Sequence, residues 1–237
     1  MKNILIVNDD GIQASGIIRL AKAAQKYGRV WVVAPDSQRS GMSHSINLHV
    51  GITVYKSDFP VKDVEAYSIS GTPADCVRLG VRSLLPVKPD LVLSGINFGY
   101  NAGTDVMYSG TIGAAMEGIF QGIPSIALSE GTNDGYLITD QYLEEILDEV
   151  VPMANSCEHI INVNFPTCKT EELKGILRDR FVSKGLVFDD HYIGTPLEDG
   201  GMSYMVAGDM VMRSEEGSDL DALFSNYISI GIVKNLC

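Results

Sequence analysis

The stretch Ile4-Leu5-Ile6-Val7-Asn8-Asp9-Asp10-Gly11 passes in one step from a branched apolar run to two adjacent carboxylates. Continuous apolar runs of this length suit strands covered on both faces, the pattern of a parallel sheet. In an open α/β sheet, ligands bind in the crevice outside the carboxyl ends of the strands. Two neighbouring acids at that edge repel each other unless something positive joins them, and a divalent cation meets the need.

Similar runs at Val30–Ala34, Leu91–Ser94, Ser125–Leu128 and Ile160–Asn164 predict further strands. Between the first two runs Ile17, Leu20, Ala21 and Ala24 recur at helical spacing, and Gly28 stands where a helix end favours a left-handed residue, which makes a βαβ unit. Thr72, Pro73 and Asp75 read as N-cap, first-turn proline and acid at the positive end of a second helix. Its inward residues are Val77, Val81 and Leu84, and Pro86 closes it. Helices are also predicted over 111–121, through Ile112, Ala115, Met116 and Ile119, and over 140–151, through Leu143, Ile146, Leu147 and Val150, with Thr139 as the cap of the latter. Residues 46–70 read as antiparallel or irregular, with short strands at Ile52–Tyr55 and Tyr67–Ser70 around a loop holding Pro60. The division is a core over 1–175 and an arm region over 176–237, where glycines punctuate β-like pieces such as Ser203–Val206 and Tyr227–Val233. Bare strand edges are a liability, so these arms either pack back on the core or pair with another subunit, and exchange between subunits is the expectation.

The composition narrows the function. Thirty acidic against 18 basic residues give a net charge of -12, which repels nucleic acid polymers and anionic membranes. Cys76, Cys157, Cys168 and Cys237 are widely spaced, form no CxxC pair and read as reduced thiols of a cytoplasmic protein. No apolar stretch approaches the ~18 residues of a membrane span.

Three strand-end loops open on one edge. They carry Asp9 and Asp10, then Ser40 beside Gly41, then Asn97. The two carboxylates, the Ser40 hydroxyl and the Asn97 amide oxygen are hard donors that suit Mg²⁺, Mn²⁺ or Ca²⁺ over zinc, and they leave positions for water and a phosphoryl oxygen. Ser109 and Thr111 flank the start of the helix over 111–121, whose free amides suit a phosphate. His44, close to Ser40, is the histidine placed to protonate a leaving oxygen. Either Asp9 or Asp10 could accept the proton of an attacking water.

The segments NDDGIQASG, APDSQRSGMSHSINL, GTPADCVRLG, PDLVLSGINFGYNAGTDVMYSGTIGAAMEG and GSDLDALFSNYISIGIV, in this order through nearly the whole chain, resemble the SurE family of survival nucleotidases. The resemblance implies a Rossmann-like three-layer core with a mainly parallel sheet and C-terminal extended β arms exchanged within a homodimer or homotetramer. It implies hydrolysis of nucleoside 5'- and 3'-monophosphates, and of short polyphosphate in some members, with one divalent cation (Mg²⁺, Mn²⁺ or Co²⁺) per subunit. By motif, the metal ligands fall on Asp9, Asp10, Ser40 and Asn97, and the phosphate loop on Ser109, Gly110 and Thr111 with Asn101 nearby; Gly41 and His44 are further substrate-contact candidates. The chain departs from the family pattern at Ser37, where a basic residue is common, at Thr104, where an acidic one is, and over 186–208.

Three rival readings fit less well. An aspartyl-nucleophile phosphatase usually spaces its acids one residue apart, and Asp9 and Asp10 are contiguous. A phosphoacceptor signalling domain needs an acceptor Asp after the strand at Leu91, where Ser94-Gly95 stands. A dinucleotide-binding dehydrogenase needs a glycine-rich first turn, which Asn8-Asp9-Asp10-Gly11 is not.

Overall fold

The computed structural model describes residues 1–132 and 137–235. The chain opens with β1 (Lys2–Val7), α1 (Ser15–Ala24) and β2 (Gly28–Pro35). A hairpin, β3 (Val54–Ser57) and β4 (Glu65–Ile69), leads to α2 (Pro73–Leu79), which continues as a wider π turn over Gly80–Leu84. Then come β5 (Leu91–Phe98), α3 (Gly110–Phe120), β6 (Ser125–Glu130), α4 (Leu137–Met153) and β7 (His159–Phe165). The remainder holds β8 (Gly175–Arg180), β9 (Phe188–Pro196), β10 (Met202–Met210), α5 (Asp219–Phe224) and β11 (Tyr227–Lys234).

Nine strands form one sheet in the order β3-β4-β2-β1-β5-β6-β7-β11-β8, and β4 through β7 in that order are all parallel. All five apolar runs of the sequence lie within β1, β2, β5, β6 and β7. In β1 the pleat sends Ile4 and Ile6 into a core shared with Ile17 and Leu20 of α1 and Ile146 and Leu147 of α4. Leu5 and Val7 point the other way, to Cys76 and Val77 of α2 and Ala114 of α3. These two apolar layers on either side of the sheet are why the strand sequences do not alternate with polar residues. Emptying either layer, as in Leu5→Ala, costs about 2–5 kcal/mol.

Four local expectations need correction. Gly28 does not end α1 in a left-handed turn; it opens β2, and a Cβ there would stand 1.8 Å from the Lys2 carbonyl oxygen. Close approach of two backbones, not backbone conformation, selects this glycine. Thr139 does not cap α4 but lies buried inside it, because the helix already runs from Leu137. Of the strands predicted to be antiparallel, β3 is antiparallel to β4, yet β4 itself joins β2 in parallel. The boundary at 175/176 does not separate core from arm. β8 and β11 complete the main sheet, with β11 antiparallel to β7, because Ile228 and Ile230 enter the core layer of α1 and α4.

Among the described residues only β9 and β10 stand apart, as a separate two-stranded ribbon. Its base is tied back to the core by Asp219, whose carboxylate accepts the backbone N–H groups of Gly103, Ser183 and Leu220. Val187, Leu220 and Leu223 pack there against Ala102. Cys76, Cys157 and Cys168 are free thiols; Cys237 falls outside the described residues. Among the described residues no helix is long and apolar enough to cross a membrane.

Candidate active site

Strand order reverses between β1 and β5, since β2 and β4 lie to one side and β6 and β7 to the other. A crevice at the carboxyl edge of such a switch point is the expected ligand site of an open sheet. Asp9 and Asp10 emerge from β1 at this edge, and Gly11 completes the turn at φ +98°, where a side chain would be strained. Asp9 is buried, and its Oδ1 accepts the Thr111 hydroxyl at 2.6 Å. Burial is the main reason its carboxyl is pushed up to about 6; the Asp10 charge adds to the rise, while the hydroxyl and backbone N–H of Thr111 oppose it. Burial also raises the Asp10 carboxyl, against the Phe98 N–H that donates to its Oδ2 at 3.0 Å.

Asn97 reaches the same place through an irregularity in β5. The register between β5 and β6 shifts between Ser94 and Asn97, and such bulges re-aim side chains next to sites. Gly95 makes the shift feasible, with φ +135° and no Cβ to strike the Leu128 carbonyl oxygen, which would lie 2.2 Å away. Asn97 Nδ2 donates to the Gly99 carbonyl at 2.8 Å, which leaves the amide oxygen as its unspent end. Ser40 arrives on the irregular segment between β2 and β3. There the Arg39 N–H donates to the Asp9 carbonyl at 2.6 Å, and Gln38 Nε2 donates to the Ser40 hydroxyl at 3.1 Å.

A cleft of about 460 Å³ is lined by Asp9, Ser40, Gly41, Asn97, Asn101 and Ser109 among others. Asp10 faces a neighbouring depression with Gln38 and Phe98. Ser109 caps α3, its hydroxyl oxygen accepting the Ile112 N–H at 3.1 Å, and its own hydroxyl hydrogen stays available to a ligand. Two residues of the expected phosphate loop are placed behind Asp9 instead of in the cleft. Thr111 is fully buried with its hydroxyl committed to Asp9, and a Cβ on Gly110 would come within 3.0 Å of the Asp9 Cβ. His44 is not in the cleft either. Its Nε2 meets Glu117 Oε2 at 2.9 Å and it lines a separate cavity with Met107 and Phe120, so the leaving-group role expected for it has no geometric support.

The polar network beneath Asn101 is not among the features expected from the sequence. Asn101 Nδ2 donates to the Ser129 hydroxyl at 2.7 Å, its N–H donates to Asn164 Oδ1 at 2.8 Å, and its carbonyl accepts from Asn162 and Asn164. The available signal was two asparagines two residues apart on an otherwise apolar strand, which therefore share one face. Asp105 also lines the cleft, its carboxyl raised by burial and by the Asp190 charge.

The donors fit a hard cation. Among the described residues no three His, Cys, Asp or Glu side chains gather as a metal cluster, so an ion here would draw on two acids and the neutral oxygens of Ser40 and Asn97. A buried carboxyl that resists ionisation beside a second acid gains from a dipositive neighbour.

Residues 4–185 match the family model described as Survival protein SurE. The chain belongs to the SurE family. Among SurE proteins it is similar to the 5'-nucleotidase SurE of Clostridium botulinum, 39% identical over 232 residues that cover 96% of this chain and 91% of that one. Its identity to the 5'-nucleotidase SurE of Thermosipho africanus is 37% over 231 residues, 96% of this chain and 89% of the relative. The crystal structure of the SurE protein from Aquifex aeolicus superposes with a TM-score of 0.81 at 37% identity, covering 99% of this chain and 94% of that chain. The SurE fold, a mostly parallel sheet with an extended C-terminal ribbon, is thus shared.

Proposed function

We propose that this chain is a divalent-metal-dependent phosphomonoesterase that hydrolyses nucleoside 5'- and 3'-monophosphates to nucleoside and phosphate. The observation that carries the reading is the convergence of Asp9, Ser40 and Asn97 on one cleft at the switch point, with Asp10 held beside them by Phe98. The naming of its relatives as 5'-nucleotidases supports the substrate class.

Asp9, Asp10, Ser40 and Asn97 would hold Mg²⁺, Mn²⁺ or Co²⁺, which when bound polarises a phosphoryl oxygen and acidifies a water. The chain itself supplies position. Thr111 fixes Asp9, Phe98 fixes Asp10, and the network of Ser129, Asn162 and Asn164 fixes Asn101 at the cleft wall. The Ser109 hydroxyl remains as a donor for a phosphate oxygen. Either Asp9 or Asp10 would take the proton of an attacking water, although a carboxylate bound to a cation is a weaker base. The ribbon of β9 and β10 is the element through which subunits would assemble as a homodimer or homotetramer.

The test is phosphate release from nucleoside monophosphates, sugar phosphates and polyphosphate, with chelator and then with Mg²⁺, Mn²⁺ or Co²⁺ restored. Release from nucleotides that stops on chelation and returns with metal is expected. Turnover indifferent to chelator, or confined to non-nucleotide esters, overturns the reading.

A further inference from the structure

The segment from Asp36 to Thr53 carries Ser40 and contains no helix or strand. Left to itself, so long a segment would leave Ser40 with wide conformational freedom. It is instead laid directly on α3. The Ser43 N–H and hydroxyl donate to the carbonyls of Tyr108 at 2.9 Å and Met107 at 2.7 Å. At Gly113 a Cβ would stand 2.2 Å from the Ser43 carbonyl oxygen, so only a residue without a side chain admits the segment.

Next to that contact sits Glu117, whose side chain is 3% exposed. Its carboxylate accepts from Gln121 Nε2 at 2.6 Å, from Arg78 at 3.3 Å and from His44 Nε2 at 2.9 Å, with the His44 ring against Phe120. An ionised carboxylate only accepts, so the His44 nitrogen is the donor. A buried carboxylate is costly unless several donors satisfy it, and a helix in an apolar layer has no need of one. Among the hydrogen bonds of Glu117, that from His44 is the one that leads to the Ser40 segment. The same α3 grips Asp9 through Thr111, nearly two turns earlier.

We propose that the His44–Glu117 pair is a positioning latch: through it α3, which already holds Asp9, also fixes the Ser40 hydroxyl relative to Asp9, and thereby sets the affinity for the divalent cation. This rests on the metal reading of the cleft above. Loss of a side chain that orients a ligand typically lowers metal affinity by about 10–100-fold.

The test is Mn²⁺ binding to the full chain, with free Mn²⁺ measured by its electron paramagnetic resonance signal. His44→Ala is expected to raise Kd about tenfold. His44→Gln, which keeps an N–H donor, should restore most of the affinity, as a purely space-filling role would not. In a Ser40→Ala background, His44→Ala should add little, because the residue it positions is gone. Additive effects of the two substitutions, or an unchanged Kd in His44→Ala when Ser40→Ala weakens binding, overturn the latch alone. A Kd indifferent to Ser40→Ala removes Ser40 from the metal site and the latch with it.

Discussion

The floor of the cleft and the β9–β10 ribbon break opposite rules of folding. The floor buries charge: Asp9 is 3% exposed, beside a second acid. The ribbon exposes apolar surface: Met205 and Ile193 are paired across one of its faces, and Tyr192 and Val206 across the other, all four of them open to solvent. Each lowers the stability of the isolated chain, by desolvation in the first case and by unburied area in the second. What the difference teaches is that the companion can be read from the sign of the misfit. In the proposed function the buried acid pair would be met by a cation and the two-faced apolar ribbon by another subunit.

The largest expected effect breaks the first half of this contrast. Asp9→Asn should lower metal-dependent phosphate release by about a thousandfold or more while circular dichroism shows an intact fold. Unchanged turnover would clear Asp9 of any part in the reaction. For the ribbon, replacing the exposed Tyr192 and Tyr204 together by Lys should weaken self-association about a thousandfold, two aromatic anchors that an interface would bury being worth about 2 kcal/mol each. Light scattering reads the mass, and an assembly that persists would show that the ribbon is not its seam.

A smaller effect sharpens the contrast through pH. The Asp9 carboxyl lies at about 6 in the fold against 3.8 unperturbed, so the fold prefers it protonated. Its contribution is fully present below about pH 4 and is lost as pH rises through about 6, a change of about 3 kcal/mol. In chelator, Asp9→Asn should therefore be the more stable protein at pH 7 and lose that advantage at pH 4, as denaturant titration would show. A constant difference across this range contradicts the account. Smallest is Thr111→Val, which removes a bond that lowers the Asp9 pKa; the carboxyl should then titrate above 6, followed by its ¹³C shift. The cost is about 1–3 kcal/mol where Asp9 is ionised.

How legible these features were depended on whether their cause was local. The parallel strands β1, β2, β5, β6 and β7 were readable because burial on both faces leaves an unbroken apolar run, and α2 because Thr72 and Asp75 form a reciprocal cap between their own side chains and backbones. Asp9, Ser40 and Asn97 could be placed on one edge because Asp9 and Ser40 follow readable strands and Asn97, expected in a loop, lies near the end of β5. The failures came from distant partners. Nothing near Gly28 announces the Lys2 carbonyl, nothing near Thr111 announces Asp9, and His44 looks like a catalytic residue until Glu117 of another element is seen to hold it. The membership of β8 and β11 in the main sheet likewise depended on pairing partners far away in the chain.

That pairing bears on the order in which the molecule is made. β11 is wedged between β7 and β8, so β8 has no neighbour to zip onto until β11 has been synthesised. On the ribosome the nascent sheet must wait with the β7 edge unprotected, which is the phase when chaperones and stray strands compete for it.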